Sequence, residues 1–254
     1  MDTKVYIVSH KKVNLPKMNG YQPIQVGMNK EDFPGYIRDN TKENISSKNA
    51  NYCELTAQYW IWKNTNSDVK GLVHYRRFLE NNFLNLTQNS KFKHIVTDEE
   101  IENYLNEYDL LLPKKRNYFI ETLYSHYIHS HKKEGLDVTR EVIANSFPEY
   151  LNSYDAVLNR KTAHMFNMII AKKDVFDEYS AWLFDVLGQV ESKLDISDWN
   201  QSEARVYGYI SELLLDVWLD QHNDLKYKEL PVGFIGNQHW FKKIFNFIYR
   251  KLKK

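Results

Sequence analysis

The sequence predicts an α/β domain in which helices cover a sheet. Short runs of β-branched, leucine and aromatic residues recur between longer segments of helical periodicity, the order of a layered sheet-and-helix fold. No internal repeat or low-complexity linker divides the 254 residues, a length that one core accommodates. Hydrophobic residues at 43% and charged residues at 26% place the chain with folded globular proteins and exclude the disordered class.

The elements follow in order. Lys4 to Val8, "KVYIV", has the make-up of a buried first strand and ends at Ser9-His10. From Lys11 to Asn44 the chain is polar and punctuated by Gly and Pro, with "YQPIQVG" as a second strand. Ser46, Ser47 or Asn49 can cap a helix from about Asn51 to Lys63, with Leu55, Tyr59 and Trp62 on one stripe and Glu54 beside Gln58 on another. After a turn at Asn66 to Lys70, "GLVHYRR" reads as a strand. Thr97 to Glu100, "TDEE", has capping-box spacing and opens a helix through Leu105. Tyr108 to Pro113, "YDLLLP", is a buried strand stopped by proline and followed by Lys114, Lys115 and Arg116. Helices are predicted over Ile120 to Lys132, Asp137 to Asn145 and Glu149 to Asn159, a strand over Met165 to Ala171, and a helix over Lys173 to Leu187. A long helix after Glu203 turns Val206, Ile210, Leu213, Leu214 and Val217 inward.

A net charge of +1, from 34 basic and 33 acidic side chains, supplies no global field for nucleic acid, so any anion site must be local. The single cysteine, Cys53, rules out an intrachain disulfide framework and a cysteine-rich zinc site, and suits a reducing compartment. The opening "MDTKVYIVSH" enters a strand pattern with no apolar signal region, and no run approaches a membrane span. A cytosolic protein is the expectation.

In open α/β sheets ligands sit beyond the carboxyl ends of the strands. Three such ends carry polar or cationic groups: Ser9-His10, His74 to Arg77, and Lys114 to Arg116. Arginine binds phosphate oxygens bidentately, so Arg76 and Arg77 suit a diphosphate; alternation along a strand leaves open that one of them pairs only with a carboxylate. "YSHYIHSH" places His126 and His129 on one helix face with His131 near, but without a cysteine ligand the pattern favours a polar or substrate-facing surface over zinc. Arg205, Tyr209 and Glu212 form a helical stripe that is either functional or a solvated ion pair. The phosphate-loop, dinucleotide, nucleophile-elbow and zinc-protease motifs are all absent, and so is any Asp-x-Asp. The tail "HWFKKIFNFIYRKLKK" combines a basic and an aromatic face, as an interfacial helix or a packed C-terminal helix would.

The segments "DNTKENISSKNANYCELTAQYWIWKN", "GLVHYRRFL", "YDLLLPKKRNYFIETLYSHY", "HMFNMIIAKKDVFDEYSAWLFDVL" and "RVYGYISELLLDVWL" together resemble the DUF4422 family of bacterial glycosyltransferases, found with capsular and exopolysaccharide genes. The resemblance spans almost the whole chain. It implies a GT-A-like fold: a single Rossmann-like domain with a mixed, mostly parallel sheet flanked by helices, over residues 1–238, with 239–254 as a basic amphipathic helix at the membrane surface. The implied reaction moves a sugar, with galactose in pyranose or furanose form the first choice, from a UDP-sugar to a lipid-linked oligosaccharide. The implied location is the cytoplasm, peripheral on the inner face of the cell membrane.

Many such transferases end the strand equivalent to "GLVHY" in a metal-holding Asp-x-Asp, whereas here His74-Tyr75-Arg76-Arg77 stands in that place. The departure implies that Arg76 or Arg77, helped by His74 and Lys114, replaces the metal, so no cofactor is required. Val8, Ser9 and His10 would take the base, Tyr75 would line the donor site, and Asn44, Ser46, Asn49 and Tyr52 would meet the uridine or sugar hydroxyls. Glu212 is the first candidate for the base, followed by Glu54 and His164. Tyr124, His126, Asn167 and Arg205 would form the acceptor side. The competing expectation is a non-catalytic glycan or polyanion-binding module built on the same arginines. Near-neutral charge and the absence of an RNA motif argue against nucleic acid as a partner.

Overall fold

The computed structural model describes residues 1–15, 17–27, 31–81 and 92–235. Its strands are β1 (Thr3–Ser9), β2 (Tyr21–Gln25), β3 (Ile37–Arg38), β4 (Val69–His74), β5 (Arg77–Leu79), β6 (Leu110–Pro113), β7 (Arg116–Asn117), β8 (Thr162–Ala163), β9 (Ile169–Lys172), β10 (Tyr227–Leu230) and β11 (Val232–Phe234). Its α-helices are α1 (Asn49–Tyr52), α2 (Leu55–Asn64), α3 (Asp98–Leu105), α4 (Leu123–Ile128), α5 (Glu134–Ser146), α6 (Leu151–Leu158), α7 (Lys173–Lys193) and α8 (Val206–Gln221). The main path of the sheet runs β10-β6-β9-β4-β1-β2-β3. All of these strands are parallel except β9, which runs antiparallel between β4 and β6. The mixed, mostly parallel α/β sheet expected from the sequence is the one that forms.

Strand alternation divides the core in two. Tyr6 and Val8 of β1 and Leu72 of β4 face the larger core beneath α2, α5, α6, α7 and α8, whereas Val5, Ile7, Val69 and Val73 face a smaller one containing Ile101 and Leu105 of α3. Covering both faces is what lets the central strands be almost continuously apolar. Gly71 is required at its place because a Cβ there would lie 2.9 Å from Ile170 Cγ1 and 3.1 Å from Val5 Cγ2.

Thr97 forms the expected capping box with Glu100 and starts α3. Elsewhere the boundaries differ in instructive ways. The helix expected over 51–63 is two helices, because Cys53 adopts a left-handed φ of 53° between α1 and α2. The strand expected in "GLVHYRR" ends at His74, Tyr75 and Arg76 form a tight turn, and Arg77 opens β5, paired with His74. The strand expected over 165–171 begins only at Ile169, after Phe166 and Asn167 at φ 82° and 49°. The helix expected over 120–132 shrinks to Leu123–Ile128, capped by the Thr122 side chain. Strands β10 and β11 were not expected; they pair with β6 and β5, contacts that no local pattern announces. The expected tail helix at 239–254 and the end of the 1–238 domain lie outside the described residues. Among those described, no helix is long and apolar enough to cross a membrane.

One ion pair ties the sheet to its helical layer. Lys70 is fully buried on β4, and its Nζ lies 2.5 Å from Asp177 Oδ1 on α7, while burial pulls the ammonium below its ordinary range. Losing one partner leaves the other charge without compensation. Asp177→Ala is therefore expected to cost about 3 kcal/mol, read as a lower denaturant midpoint at unchanged slope.

Candidate active site

The carboxyl ends of β1, β2 and β4 open on a cavity of about 530 Å³. Val8, Ser9 and His10 line it from β1, His74 and Tyr75 from β4, Asn49, Cys53 and Glu54 from the α1–α2 break, and Arg205 from the start of α8. The His10 ring stands edge-on to Tyr75 at 5.5 Å. Burial and the neighbouring charges of Lys11, Arg76 and Arg205 hold the His10 imidazole below its usual range, so the cavity mouth is electropositive. A second cavity, of about 220 Å³, is walled by Arg116, Tyr118, His126, His131, Tyr209 and Glu212 among others.

The turn Phe166–Asn167 stands between the two. The Phe166 N–H donates to Glu212 Oε1 at 3.1 Å, and its carbonyl accepts from His74 Nε2 at 2.6 Å. The Asn167 amide nitrogen donates to Glu54 Oε1 at 2.7 Å and to the Gly208 carbonyl at 3.0 Å, while its oxygen accepts from Ser211 at 2.9 Å. Two successive non-glycine residues with left-handed φ are costly, and such backbone persists where surrounding bonds fix it, as these do. Gly208 admits the close approach of α8: a Cβ there would lie 3.1 Å from Cys53 Sγ.

Glu212 is half-buried, and its carboxyl is pushed up to about 7, first by burial and then by the Glu54 charge; the Phe166 N–H, Arg77 and Arg116 pull the other way. Such a group changes protonation near neutral pH and suits proton transfer. The Cys53 thiol is pushed up to about 11 by burial even though Arg205 Nε donates to its sulfur at 3.1 Å. A thiol in that range keeps its proton at neutral pH, the weakly nucleophilic form.

The adjacent arginines diverge. Arg76 is exposed on the hairpin turn, its guanidinium 5.1 Å from the Tyr75 ring centroid. Arg77 lies 4.5 Å from the Phe166 ring centroid, its Nε is buried without a hydrogen-bond partner among the described residues, and its charge acts on Glu212 and Glu54. A divalent ion at this strand end would need oxygen ligands such as carboxylates. Among the described residues no group of three or more His, Cys, Asp or Glu side chains is arranged to hold one.

Of the sequence-derived candidates, Val8, Ser9, His10, Asn49, His74 and Tyr75 share the first cavity, joined by Glu54 and by Arg205, which was expected on the acceptor side. Glu212 and His126 line the second. Asn167 is buried beneath Glu54, to which its amide donates. Asn44, Ser46, Tyr52, Arg76, Arg77, Lys114 and Tyr124 line neither cavity. Asn44 closes an exposed turn onto the Ser46 N–H, Ser46 donates to buried Asp39, Tyr52 donates to Glu191, Lys114 is exposed at the end of β6, and Tyr124 packs on the larger core. His164 is fully buried, with Nδ1 2.8 Å from Asp216 and Nε2 3.0 Å from Glu229, so both ring nitrogens are already engaged. Lys11, Gln201, Ser202 and Tyr118 carry no motif and were missed; loops bring them in, while His131, noted beside His126 in the sequence, joins the second cavity.

Residues 4–223 match the family model described as a domain of unknown function, DUF4422, and the chain belongs to that family. Among solved structures it is similar to the apo structure of WbbM, described as a bifunctional glycosyltransferase, with 30% sequence identity and a TM-score of 0.84. The match covers 93% of this chain and 46% of that one, so the chain spans about half the length of its structural relative. Comparison with curated proteins gives no match.

Proposed function

We propose that this chain is a glycosyltransferase that moves a hexose, with galactose the first choice, from a UDP-sugar to a lipid-linked oligosaccharide in capsule or exopolysaccharide synthesis. The observation that carries the reading is the pair of cavities at the carboxyl edge of the sheet, parted by one turn that holds Glu54 toward the first and Glu212 toward the second. The likeness to a glycosyltransferase supports the reaction class.

The base stacks on the His10–Tyr75 pair, and the diphosphate lies toward Arg205, Lys11 and Arg76, with Arg77 behind. The acceptor hydroxyl occupies the second cavity, and its oxygen attacks the anomeric carbon as the bond from that carbon to the phosphate oxygen breaks. UDP leaves with the electron pair, Glu212 takes the hydroxyl proton, and the fixed cations stabilise the charge that develops on the diphosphate. In this reading the arginines do the work that a metal does elsewhere.

Thermal unfolding in the presence of UDP-, GDP-, CMP- and dTDP-sugars, each with EDTA and with Mn2+, tests it. A UDP-sugar at about 100 times its dissociation constant is expected to add about 2.7 kcal/mol of stability in EDTA. A shift seen only with Mn2+ would overturn the arginine role, and a flat panel would remove the donor site altogether.

A further inference from the structure

Among the described residues, three of the exposed large hydrophobic side chains fall on one segment: Phe119 at 76%, Ile120 at 71% and Ile128 at 37% exposure. The loop that carries the first two is braced from every side. The Tyr118 N–H donates to the Lys161 carbonyl at 2.8 Å and the Leu123 N–H to the Arg160 carbonyl at 2.7 Å, while β7 and β8 pair beneath it. Phe119 sits at φ 58° with its N–H donating to Asn117 Oδ1 at 2.7 Å, and the Ile120 N–H donates to the Tyr118 carbonyl at 2.7 Å. Glu121 is held by the Nδ1 atoms of His126 and His129, each at 3.0 Å. A left-handed phenylalanine is strained backbone, and its ring stands exposed in water.

The surroundings of this prong are cationic. Arg116 and Lys161, at its base, are exposed and have no carboxylate partner within ion-pair distance among the described residues; Glu121 is held by His126 and His129, and Glu212 shares a cavity wall with Arg116 on the inner side. Apolar side chains at a narrow tip with cations around its base match the headgroup boundary of an anionic bilayer, where the tip enters the acyl region and the cations meet lipid phosphates. We propose that the loop 117–122 is a membrane-contacting prong that seats the protein on an anionic lipid surface. Tyr118, at the root of the prong, stacks on His126 at a centroid distance of 4.0 Å, and both line the 220 Å³ cavity. The prong would thus bring that cavity to the bilayer, where a lipid-linked acceptor lies. That consequence rests on the transferase reading; the membrane contact does not.

Co-sedimentation of the full chain with phosphatidylcholine vesicles, with and without phosphatidylglycerol, separates the outcomes. The wild type is expected to partition onto the phosphatidylglycerol vesicles and to be released by salt. Phe119→Ser/Ile120→Ser is expected to lower the partition coefficient about tenfold or more, Lys161→Ala by roughly fivefold, and Phe119→Trp to retain binding. The double variant should keep its unfolding temperature and its response to UDP-sugar, which separates failure of the prong from failure of the donor site. A wild type that ignores anionic vesicles would overturn the proposal, as would a double variant that binds them equally well. So would a double variant that changes only self-association in sedimentation velocity, since that would make the tip a contact between copies of the chain.

Discussion

Glu212→Gln is expected to lower turnover by about 10²- to 10⁴-fold, the range for a lost general base, while the fold becomes more stable in alkaline solution. The activity arm follows from the Glu212 carboxyl, which titrates at about 7. Wild-type kcat/KM should fall as pH drops through 7, and the glutamine variant should lack that limb. The stability arm follows from linkage. In the unfolded chain Glu212 ionises in the ordinary carboxylate range, whereas in the folded protein it keeps its proton up to about 7. Between those values the folded state binds more protons, so stability falls as pH rises, and above 7 the full penalty of a half-buried carboxylate remains. Glutamine removes that penalty and keeps an oxygen for the Phe166 N–H. Thermal unfolding at pH 8 should show a gain of about 1–3 kcal/mol, and at pH 4 essentially none. Turnover within a factor of about ten of wild type would remove Glu212 from the base role.

The fold was legible in the sequence wherever one residue pattern decides one element. "KVYIV" and "YDLLLP" are short enough and apolar enough to be strands in any compact chain, and Thr97 with Glu100 caps a helix by purely local bonds. What stayed hidden is what only the assembled fold enforces. Nothing local in "NANYCELT" announces a break, because a cysteine at positive φ is held there by its tertiary contacts: Arg205 on its sulfur and Gly208 against its side chain. The same holds for Phe166 and Asn167, read as strand, whose left-handed turn exists because Glu212, His74, Glu54 and Ser211 each take one of its polar groups. These two misread places are the ones that aim Glu54 and Glu212. Local preference and final structure disagree where the candidate site is built. The stripe Arg205-Tyr209-Glu212 was visible, but its division between two cavities was not, since helical spacing places residues on a face without saying which walls meet it.

Whether the pH limb belongs to Glu212 is decided by Glu54 and Arg77, two of its charged neighbours, which act on it with opposite sign. The Glu54 charge raises the Glu212 pKa, and the Arg77 charge lowers it. Glu54→Gln keeps an oxygen for the Asn167 amide and removes only the charge, so the acid limb of kcat/KM should move to lower pH. Arg77→Gln removes the opposing charge, so the limb should move to higher pH. At the plateau the two variants should also separate: if Arg77 stabilises the leaving diphosphate from behind, as proposed, its loss is expected to cost up to about 10²-fold in turnover, whereas Glu54→Gln mainly makes the base weaker. A structural role for either residue predicts lower stability with no movement of the limb, which unfolding measurements on the same preparations would reveal. If both variants shift the limb the same way, the titrating group is not Glu212, and the assignment of the base falls with it. If the shifts oppose but Arg77→Gln keeps its plateau, Glu212 stands as the base and the cation that meets the diphosphate must be sought at Arg205, across the cavity.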